Sequence, residues 1–433
     1  MQLKHKVLLV TSSGGGGLLQ AAKAKEQEIV DAHPNAVILE RDVMKHWIWR
    51  PLGRSFVALW NRAQMRGDVS TQTFFGGGGL IIAECIFWPH IFFYSLYTLF
   101  KEKIDRVIDT QIFGTSAMLK AIRIYNKLRG MKVVLEKVLV DLPTRRANHF
   151  FQPIRALSEK DRKLFRLVTI APLLQDGESE EEFWKKHCRL TPNELCYEEY
   201  YVRRAFRKAR HLEEVPSRLF VRAKTPQERE AVLKVATHGK IDVHDHPEGI
   251  QCTIGPDVCV LTLLLGSQPA NNATLEYVQQ IALAAARAPH RTICLFVFLA
   301  EFRTHSDSLF AKVLSWFHAH QNFPKNLTIV PMSFQQDDVI APLFVRSNAT
   351  CTRSGGQTAM ELMAVSRGKI WIHSEAKGPT FDRETLLKGI PVWESENAVY
   401  LEKARGANLV TPELISLFLD ELLENQKSSK TAS

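Results

Sequence analysis

The stretch that decides the fold runs Thr352-Arg353-Ser354-Gly355-Gly356-Gln357-Thr358-Ala359-Met360-Glu361. It follows a short apolar segment and opens a segment, Gln357 to Val365, whose residues favour a helix. Two glycines at a strand-to-helix turn let the backbone approach a ligand closely, and the N–H groups at the helix start attract phosphate. The carboxylate of Glu361, one turn inside the helix, is placed to accept hydrogen bonds from ribose hydroxyls. The stretch therefore predicts a nucleotide-diphosphate site; the alternative is a tight turn followed by a solvated acid that the helix dipole favours.

A second turn of the same kind lies upstream. Val258 to Leu265 is a continuous apolar run, typical of a strand buried on both faces, and it ends in Gly266-Ser267-Gln268-Pro269-Ala270. The Ser267 hydroxyl and the backbone N–H groups of this turn suit a second phosphate contact. Between the two turns the pattern predicts a strand, a helix and a strand over Thr292 to Leu299, Ser308 to Phe317 and Leu327 to Val330. This alternation predicts a parallel sheet that binds its ligand at the carboxyl ends of its strands.

The N-terminal half repeats this layout. Lys6 to Val10 is predicted as a first strand and not as a signal peptide, and it is followed by the glycine loop Gly14, Gly15, Gly16 and Gly17 and by a helix, Leu18 to Val30. A further strand and loop, Val138 to Thr144, contains Asp141. The glycine loop lacks the Gly-Lys-Ser/Thr ending of a P-loop, which excludes a P-loop nucleotidase.

These motifs resemble the donor-binding half of a GT-B glycosyltransferase. The residues that carry the resemblance, and that it implies as donor contacts, are Gly266, Ser267, Gln268, Arg353, Ser354, Gly355, Gly356, Thr358, Glu361, Glu396 and Asn397. The pattern is similar to the family that contains the peptidoglycan N-acetylglucosaminyltransferase and the monogalactosyldiacylglycerol synthases, which transfer a sugar from a UDP donor to a lipid acceptor. The resemblance implies an α/β fold of the GT-B class, in which two Rossmann-like parallel-sheet domains face a cleft. It also implies a UDP-sugar as donor substrate, a lipid or lipid-linked acceptor near the glycine loop, and no cofactor or metal ion.

Two departures from the family pattern affect the chemistry. Leu18 stands where the family usually places a His directly after the first glycine-rich loop. Glu394 and Glu396 stand where the family carries Gln side chains that hold the hydroxyls of the donor sugar. The identity of the sugar and the source of the catalytic base therefore do not follow from the resemblance.

Inverting sugar transfer needs a general base on the acceptor hydroxyl and a sink for the charge that builds up on the departing UDP. The N–H groups around Ser267 and Gly355 are predicted to supply the sink. For the base we predict Asp141, at a strand end, ahead of His149 and of His90, which we place with the acceptor loop. The alternative for Asp141 is a carboxylate that caps its own loop.

Length and charge set the wider frame. A chain of 433 residues is expected to form two or three domains, and its formal charge of +10 favours an anionic partner. No zinc finger or RNA-recognition motif is present, so an anionic membrane surface is preferred to nucleic acid. Seven cysteines without paired CxxC spacing predict reduced thiols and a cytoplasmic location. The predicted divisions are an acceptor-side domain at 1–157, a charged helical insertion at 158–212, the end of the first domain and a hinge at 213–245, a donor domain at 246–411, and a helix with a disordered tail at 412–433.

An apolar segment, Leu80 to Phe100, predicts contact with the membrane interface or burial in the core, and not a membrane span. Placed on a helix, its polar residues fall within an arc of roughly 140°, Pro89 interrupts its middle, and it lies between elements of one domain. The preceding segment, Met44 to Trp60, mixes three Trp residues with Lys and Arg, a combination expected at lipid headgroups. The chain is therefore predicted to bind a membrane peripherally.

Two other classes of function stay open at this stage. A UDP-sugar 2-epimerase uses the same sheet and nucleotide pocket but needs no lipid-facing surface. The second class is a catalytically degenerate GT-B protein that binds nucleotide or lipid as an accessory subunit. The replacement of the usual His by Leu18 supports this class.

Overall fold

The computed structural model describes residues 5–303, 308–320 and 323–431, with side chains throughout except at 148, 149 and 426–431. The strands are β1 (Lys6–Thr11), β2 (Val37–Asp42), β3 (Arg106–Asp109), β4 (Leu135–Val138), β5 (Phe165–Thr169), β6 (Leu195–Tyr197), β7 (Arg218–Val221), β8 (Asp242–His246), β9 (Gly249–Thr253), β10 (Cys259–Leu264), β11 (Ile293–Phe298), β12 (Leu327–Met332), β13 (Ala349–Thr352), β14 (Lys369–His373) and β15 (Asn408–Val410).

The helices are α1 (Gly16–Ala32), α2 (Arg50–Arg66), α3 (Val69–Gly76), α4 (Gly78–Glu102), α5 (Thr115–Arg129), α6 (Asn148–Arg155), α7 (Glu159–Arg162), α8 (Glu180–Cys188), α9 (Arg204–Ala209), α10 (Pro226–Ala236), α11 (Asn271–Arg287), α12 (Leu309–Ala319), α13 (Asp337–Arg346), α14 (Gly356–Val365), α15 (Arg383–Lys388), α16 (Val392–Arg405) and α17 (Ile415–Thr431). A π-helical turn, Val43–Trp47, precedes α2.

The first lobe is a parallel six-stranded sheet in the order β2-β1-β3-β4-β5-β6. Successive strands are added on one side of β1 for β2 and on the other side for β3 to β6, so the switch point of the sheet lies between β1 and β3. In doubly wound sheets ligands bind at the switch point, beyond the carboxyl ends of the strands. The loop that follows β1 there is the glycine loop, Gly14–Gly17, which confirms the layout predicted for this half.

The second lobe is also a parallel six-stranded sheet, in the order β12-β11-β10-β13-β14-β15. Counted from β10, this is the order 3-2-1-4-5-6 of dinucleotide-binding sheets, and its switch point lies between β10 and β13. The turns that follow β10 and β13 are the two turns that decided the sequence prediction. Two Rossmann-like lobes with their switch points facing one cleft confirm the predicted GT-B fold class.

Two of the predicted divisions differ from the structure. The charged stretch 158–212 is not a helical insertion, because β5 and β6 lie within it and extend the first sheet beyond β4. Likewise, 213–245 does not complete the first domain. Its β7 and β8 pair with β9 in a small antiparallel sheet, while α10 packs on β12 and β7 packs on α13 of the second lobe. At the C-terminus, α17 packs on α11 and stays helical to Thr431, further than the predicted helix.

The helices α2, α3 and α4 form one side of the first lobe, where α4 packs on α5. Several polar residues of α4 turn into the protein, although His90 and Lys101 are exposed. Ser95 and Thr98 are buried, and Glu84 accepts hydrogen bonds from the Gly114 N–H and the Ser116 hydroxyl at 2.5 and 3.3 Å. The outer face instead exposes large apolar side chains: Ile81, Ile82, Ile86, Phe93, Tyr94 and Tyr97. Among the described residues, α4 is the single helix long and apolar enough to cross a membrane, and 28% of its most apolar window is buried.

Candidate active site

A cavity of about 270 Å³ lies between the two lobes. One end is walled by the glycine loop after β1 and by the turns after β10 and β13. The other end is walled mainly by apolar and aromatic side chains from the first lobe and from the start of α16: Phe56, Trp60, Phe75, Leu80, Phe113, Phe150 and Trp393. The cavity thus joins a polar backbone-lined end to an apolar end, and both switch points open into it.

At Gly16 and Gly356 the turns approach the opposite lobe so closely that a side chain would not fit. A Cβ at Gly16 would lie 2.6 Å from Ser267 Oγ, so the glycine loop of the first lobe meets the donor turn of the second. Gly266 has a φ of +83°, a conformation that residues with a Cβ rarely adopt. The predicted turn residues Gly14 to Gly17, Gly266, Ser267, Gln268, Gly355, Gly356 and Thr358 all line the cavity.

Asp141 connects the lobes. Its Oδ1 accepts hydrogen bonds from the Gly356 N–H at 3.2 Å and from Asn397 Nδ2 at 3.0 Å. Asn397 Nδ2 also donates to the Ser354 carbonyl, and Asn397 Oδ1 accepts from the Leu142 N–H. The carboxylate of Asp141 therefore caps the N-terminus of α14 from the opposite lobe. This contact is closer to the alternative prediction, a capping carboxylate, than to the predicted general base.

Glu361 is occupied by an ion pair that the sequence did not suggest. Arg203 donates two hydrogen bonds to it, from Nε to Oε1 at 2.7 Å and from Nη2 to Oε2 at 2.9 Å, and both side chains are buried. Gln357 Nε2 also donates to Oε1 at 3.3 Å. Arg203 lies in the stretch 158–212 that was predicted as a charged helical insertion, and its side chain is buried. A ribose hydroxyl reaching Glu361 would have to share the carboxylate with Arg203.

Arg353, the next predicted donor contact, lies beside two carboxylates with opposite pKa shifts. It donates to Glu375 Oε1 at 3.2 Å and to the Gln64 carbonyl at 3.2 Å. Burial alone would raise the pKa of Glu375, but His373 and Arg353 outweigh it and lower that pKa to about 2. Burial raises the pKa of Glu394 to about 7; Arg353 acts against this rise, and Asp141 and Glu375 add to it. Glu375 is therefore held ionised, whereas Glu394 titrates near neutral pH.

Several buried polar atoms that face the cavity have no hydrogen-bond partner among the described residues. They are Gln20 Oε1, Trp60 Nε1, Gln357 Oε1 and Glu394 Oε2. Buried polar atoms are almost always paired, so a group of orphans around one cavity points to a polar ligand or to water there. Within the residues that the structure describes, no group of three His, Cys, Asp or Glu side chains is arranged to hold a metal ion.

Three further predicted residues, Ser354, Glu396 and His90, are not part of the cavity wall. Ser354 is buried, and its hydroxyl donates to the Glu394 carbonyl at 2.7 Å. Glu396 forms a 3.4 Å ion pair with Arg146, and His90 is exposed on the outer face of α4. The backbone of His149 belongs to α6, but its side chain lies outside the described residues, so its predicted role stays a prediction.

No protein-family model matches the chain, and no curated protein sequence matches it. Solved structures with similar folds include MurG from Acinetobacter baumannii, at 12% identity and a TM-score of 0.42 over 98% of this chain and 92% of that one. The UDP-GlcNAc 2-epimerase from Neisseria meningitidis bound to UDP-GlcNAc gives 11% identity and 0.43 over 98% and 100%. A putative UDP-N-acetylglucosamine 2-epimerase from Listeria monocytogenes gives 9% and 0.48 over 99% and 90%. At TM-scores below 0.5 these similarities carry no argument about activity, and the fold assignment stands on the strand order given above.

Three residues of the site were missed or undervalued at the sequence level: Arg203, Trp60 and Glu394. Trp60 was assigned to the membrane surface, but it lines the cavity and stacks on Trp393 with ring centroids 6.0 Å apart. Glu394 carried a detectable signal, since it replaces an amide in the family pattern. Arg203 carried none, because its partner is 158 residues away.

Proposed function

We propose that this protein transfers a sugar, with inversion, from a UDP-sugar donor to a lipid or lipid-linked acceptor at an anionic membrane surface. The observation that carries the proposal is the pair of glycine turns after β10 and β13, which flank the switch point of the second sheet and line a cavity with orphaned polar atoms. Backbone N–H groups at such turns bind phosphate without needing a cationic side chain.

The donor would lie with its diphosphate against the turns at Ser267 and Gly355 and its ribose toward Glu361. Charge that develops on the departing UDP would be stabilised by these N–H groups and by the start of α14. Arg353 is the nearest buried cation on this side of the cavity, although Glu375 already partners it. Only interactions that strengthen as the sugar–phosphate bond breaks accelerate the reaction, so preformed N–H groups suit this role.

The lipid nature of the acceptor is supported by the two faces of α2, α3 and α4. Toward the cavity these helices present Phe56, Trp60, Phe75 and Leu80. Toward solvent they expose the apolar face of α4 together with Trp49, Leu52, Leu59 and four arginines of α2, Arg50, Arg54, Arg62 and Arg66. Basic and aromatic side chains around an exposed apolar patch suit an anionic bilayer surface. In the proposed complex, the acyl chain of the acceptor contacts the aromatic side chains of the cavity wall.

A catalytically inactive nucleotide-binding or lipid-binding protein is the second candidate. It is favoured by two observations: Arg203 already neutralises Glu361, and Leu18, buried at the cavity wall, replaces the usual His. This protein would bind UDP or lipid and would not release UDP from a UDP-sugar. The 2-epimerase alternative has no corresponding observation in its favour, because it leaves the lipid-facing helices unexplained.

The test is UDP release from a panel of UDP-sugars in the presence of vesicles that contain anionic phospholipid and diacylglycerol. We expect release that depends on both the sugar donor and the vesicles. A Gly355→Val variant is expected to abolish it, because the position accepts a side chain without strain and points it into the cavity. UDP binding without release from any donor would contradict transfer and support the inactive binding protein.

A further inference from the structure

Glu394 has the environment of a residue that moves a proton. It lies in the first turn of α16, lines the cavity and is 7% exposed. Its Oε2 has no hydrogen-bond partner among the described residues. An unpaired, buried carboxylate is costly to the fold, so its position beside a ligand cavity calls for a functional reason.

The other acidic residues near Glu394 already have hydrogen-bond or ion-pair partners. Asp141 Oδ1 accepts from Gly356 and Asn397, and Glu361 is held by Arg203 through two hydrogen bonds. Glu375 pairs with Arg353 and lies 3.1 Å from His373 Nε2. Of these four carboxylates in the described part of the chain, Glu394 is the one with a buried oxygen that has no hydrogen-bond partner.

We propose that Glu394 is the base that removes the proton from the acceptor hydroxyl. This inference rests on the proposed function and names the residue that it leaves open. In the step, the acceptor O–H proton passes to the Glu394 carboxylate while the acceptor oxygen bonds to the anomeric carbon. The bond from that carbon to the UDP oxygen breaks, its electron pair leaves with UDP, and no oxidant or metal is required.

The charged groups that face Glu394 come from three separate elements. Arg353 follows β13, Glu375 follows β14, and Asp141 follows β4 in the opposite lobe. Arg353 favours the ionised form of Glu394, whereas Glu375, Asp141 and the burial of the side chain favour the protonated form. A base poised near neutral pH is ionised often enough to accept a proton and basic enough to hold it, which is the optimum for general base catalysis.

The experiment compares steady-state UDP release by the wild type, Glu394→Gln and Glu402→Gln between pH 5.5 and 9. Gln keeps the shape of the side chain but cannot accept the proton. We expect Glu394→Gln to lower kcat about 10²-fold to 10⁴-fold, to leave the donor KM within a few-fold, and to lose the rise of kcat with pH. Glu402→Gln, the same change on the same helix but outside the cavity wall, where Glu402 pairs with Arg383, is expected to match the wild type.

The outcomes separate the inference from the proposed function. If Glu394→Gln changes the donor KM with kcat and its pH profile intact, Glu394 is a donor-sugar contact and the inference is overturned alone. Unchanged kinetics in that variant overturn it equally. If the wild type releases no UDP from any donor, the proposed function fails and the inference falls with it. Calorimetric UDP binding by Glu394→Gln, equal to that of the wild type, shows that the variant is folded.

Discussion

Gly356 is a position where the two lobes press closely on one another, and replacing it with Ala tests that contact. An added Cβ would lie 2.2 Å from the Val140 carbonyl oxygen, 2.5 Å from Asp141 Cα and 2.6 Å from Asp141 Oδ1. Two of these obstacles are backbone, so no side-chain rotation relieves them. The lobes would have to separate at this point, which would also lengthen the hydrogen bond from Gly356 N–H to Asp141.

Two effects of opposite sign decide the magnitude. Replacing Gly with Ala in a helix usually stabilises by about 1 kcal/mol. Overpacking a well-packed site typically costs about 1–3 kcal/mol, and a contact with rigid backbone lies toward the upper end. Because the steric cost exceeds the gain in helix propensity, we expect Gly356→Ala to lower the free energy of unfolding by about 1–2 kcal/mol.

Chemical denaturation of Gly356→Ala and Gly355→Ala measures this directly. At Gly355 the nearest neighbour of an added Cβ is Glu394 Oε1 at 4.0 Å, and φ is −61°, so the adjacent substitution is expected to leave stability nearly unchanged. If Gly356→Ala were as stable as the wild type, the close apposition of the lobes at α14 would be refuted.

Three further predictions concern charge and surface. Burial raises the pKa of Glu394 from 4.5 to about 7, so its charge destabilises the fold as pH rises through that interval. In pH-dependent denaturation, Glu394→Gln should therefore have the same free energy of unfolding as the wild type near pH 4.5 and be about 3 kcal/mol more stable above pH 7. A difference in free energy of unfolding that stays constant with pH would contradict this. Arg203→Met should cost about 3–5 kcal/mol by leaving Glu361 buried without its partner, and adding Glu361→Gln should recover most of that loss in the same assay. Phe93→Ser with Tyr97→Ser, 65% and 60% exposed, should leave stability unchanged yet weaken flotation with anionic vesicles at least about tenfold, whereas unchanged flotation would argue against this face as the membrane contact.

The second lobe was the part most predictable from sequence. Strands buried on both faces of a parallel sheet appear as continuous apolar runs, and β10, β11 and β12 were each predicted to within a few residues of their observed ends. The glycine turns were predictable for the same reason, because each turn directly follows an apolar strand in the sequence. The strand order that makes them a switch point emerges only from the register between strands.

The first lobe was harder because its strands are short or lie in charged sequence. β6 has three residues, and β5 is preceded by a run of Lys, Asp and Arg, so neither stands out from a helical pattern. The orientation of α4 also escaped prediction. Glu84 accepts hydrogen bonds from Gly114 and Ser116 inside the protein, and periodicity alone does not reveal which side of a helix is covered.

The contacts that define the site are long-range, which is why sequence reasoning named several of its residues but not their roles. The partners Asp141 and Gly356 are 215 residues apart, and Arg203 and Glu361 are 158 apart. Each pair gives a predicted residue a partner that the sequence did not indicate: the Gly356 N–H for Asp141, and Arg203 for Glu361. Such pairings depend on how the lobes face one another.

Calorimetric titration of the purified protein with UDP, repeated on Gly355→Val, tests the proposed nucleotide site. We expect micromolar binding by the wild type, with a dissociation constant corresponding to about −8 kcal/mol, and none by the variant at equal folded stability. Absence of UDP binding by the wild type, or undiminished binding by Gly355→Val, would contradict a nucleotide site at the turns after β10 and β13.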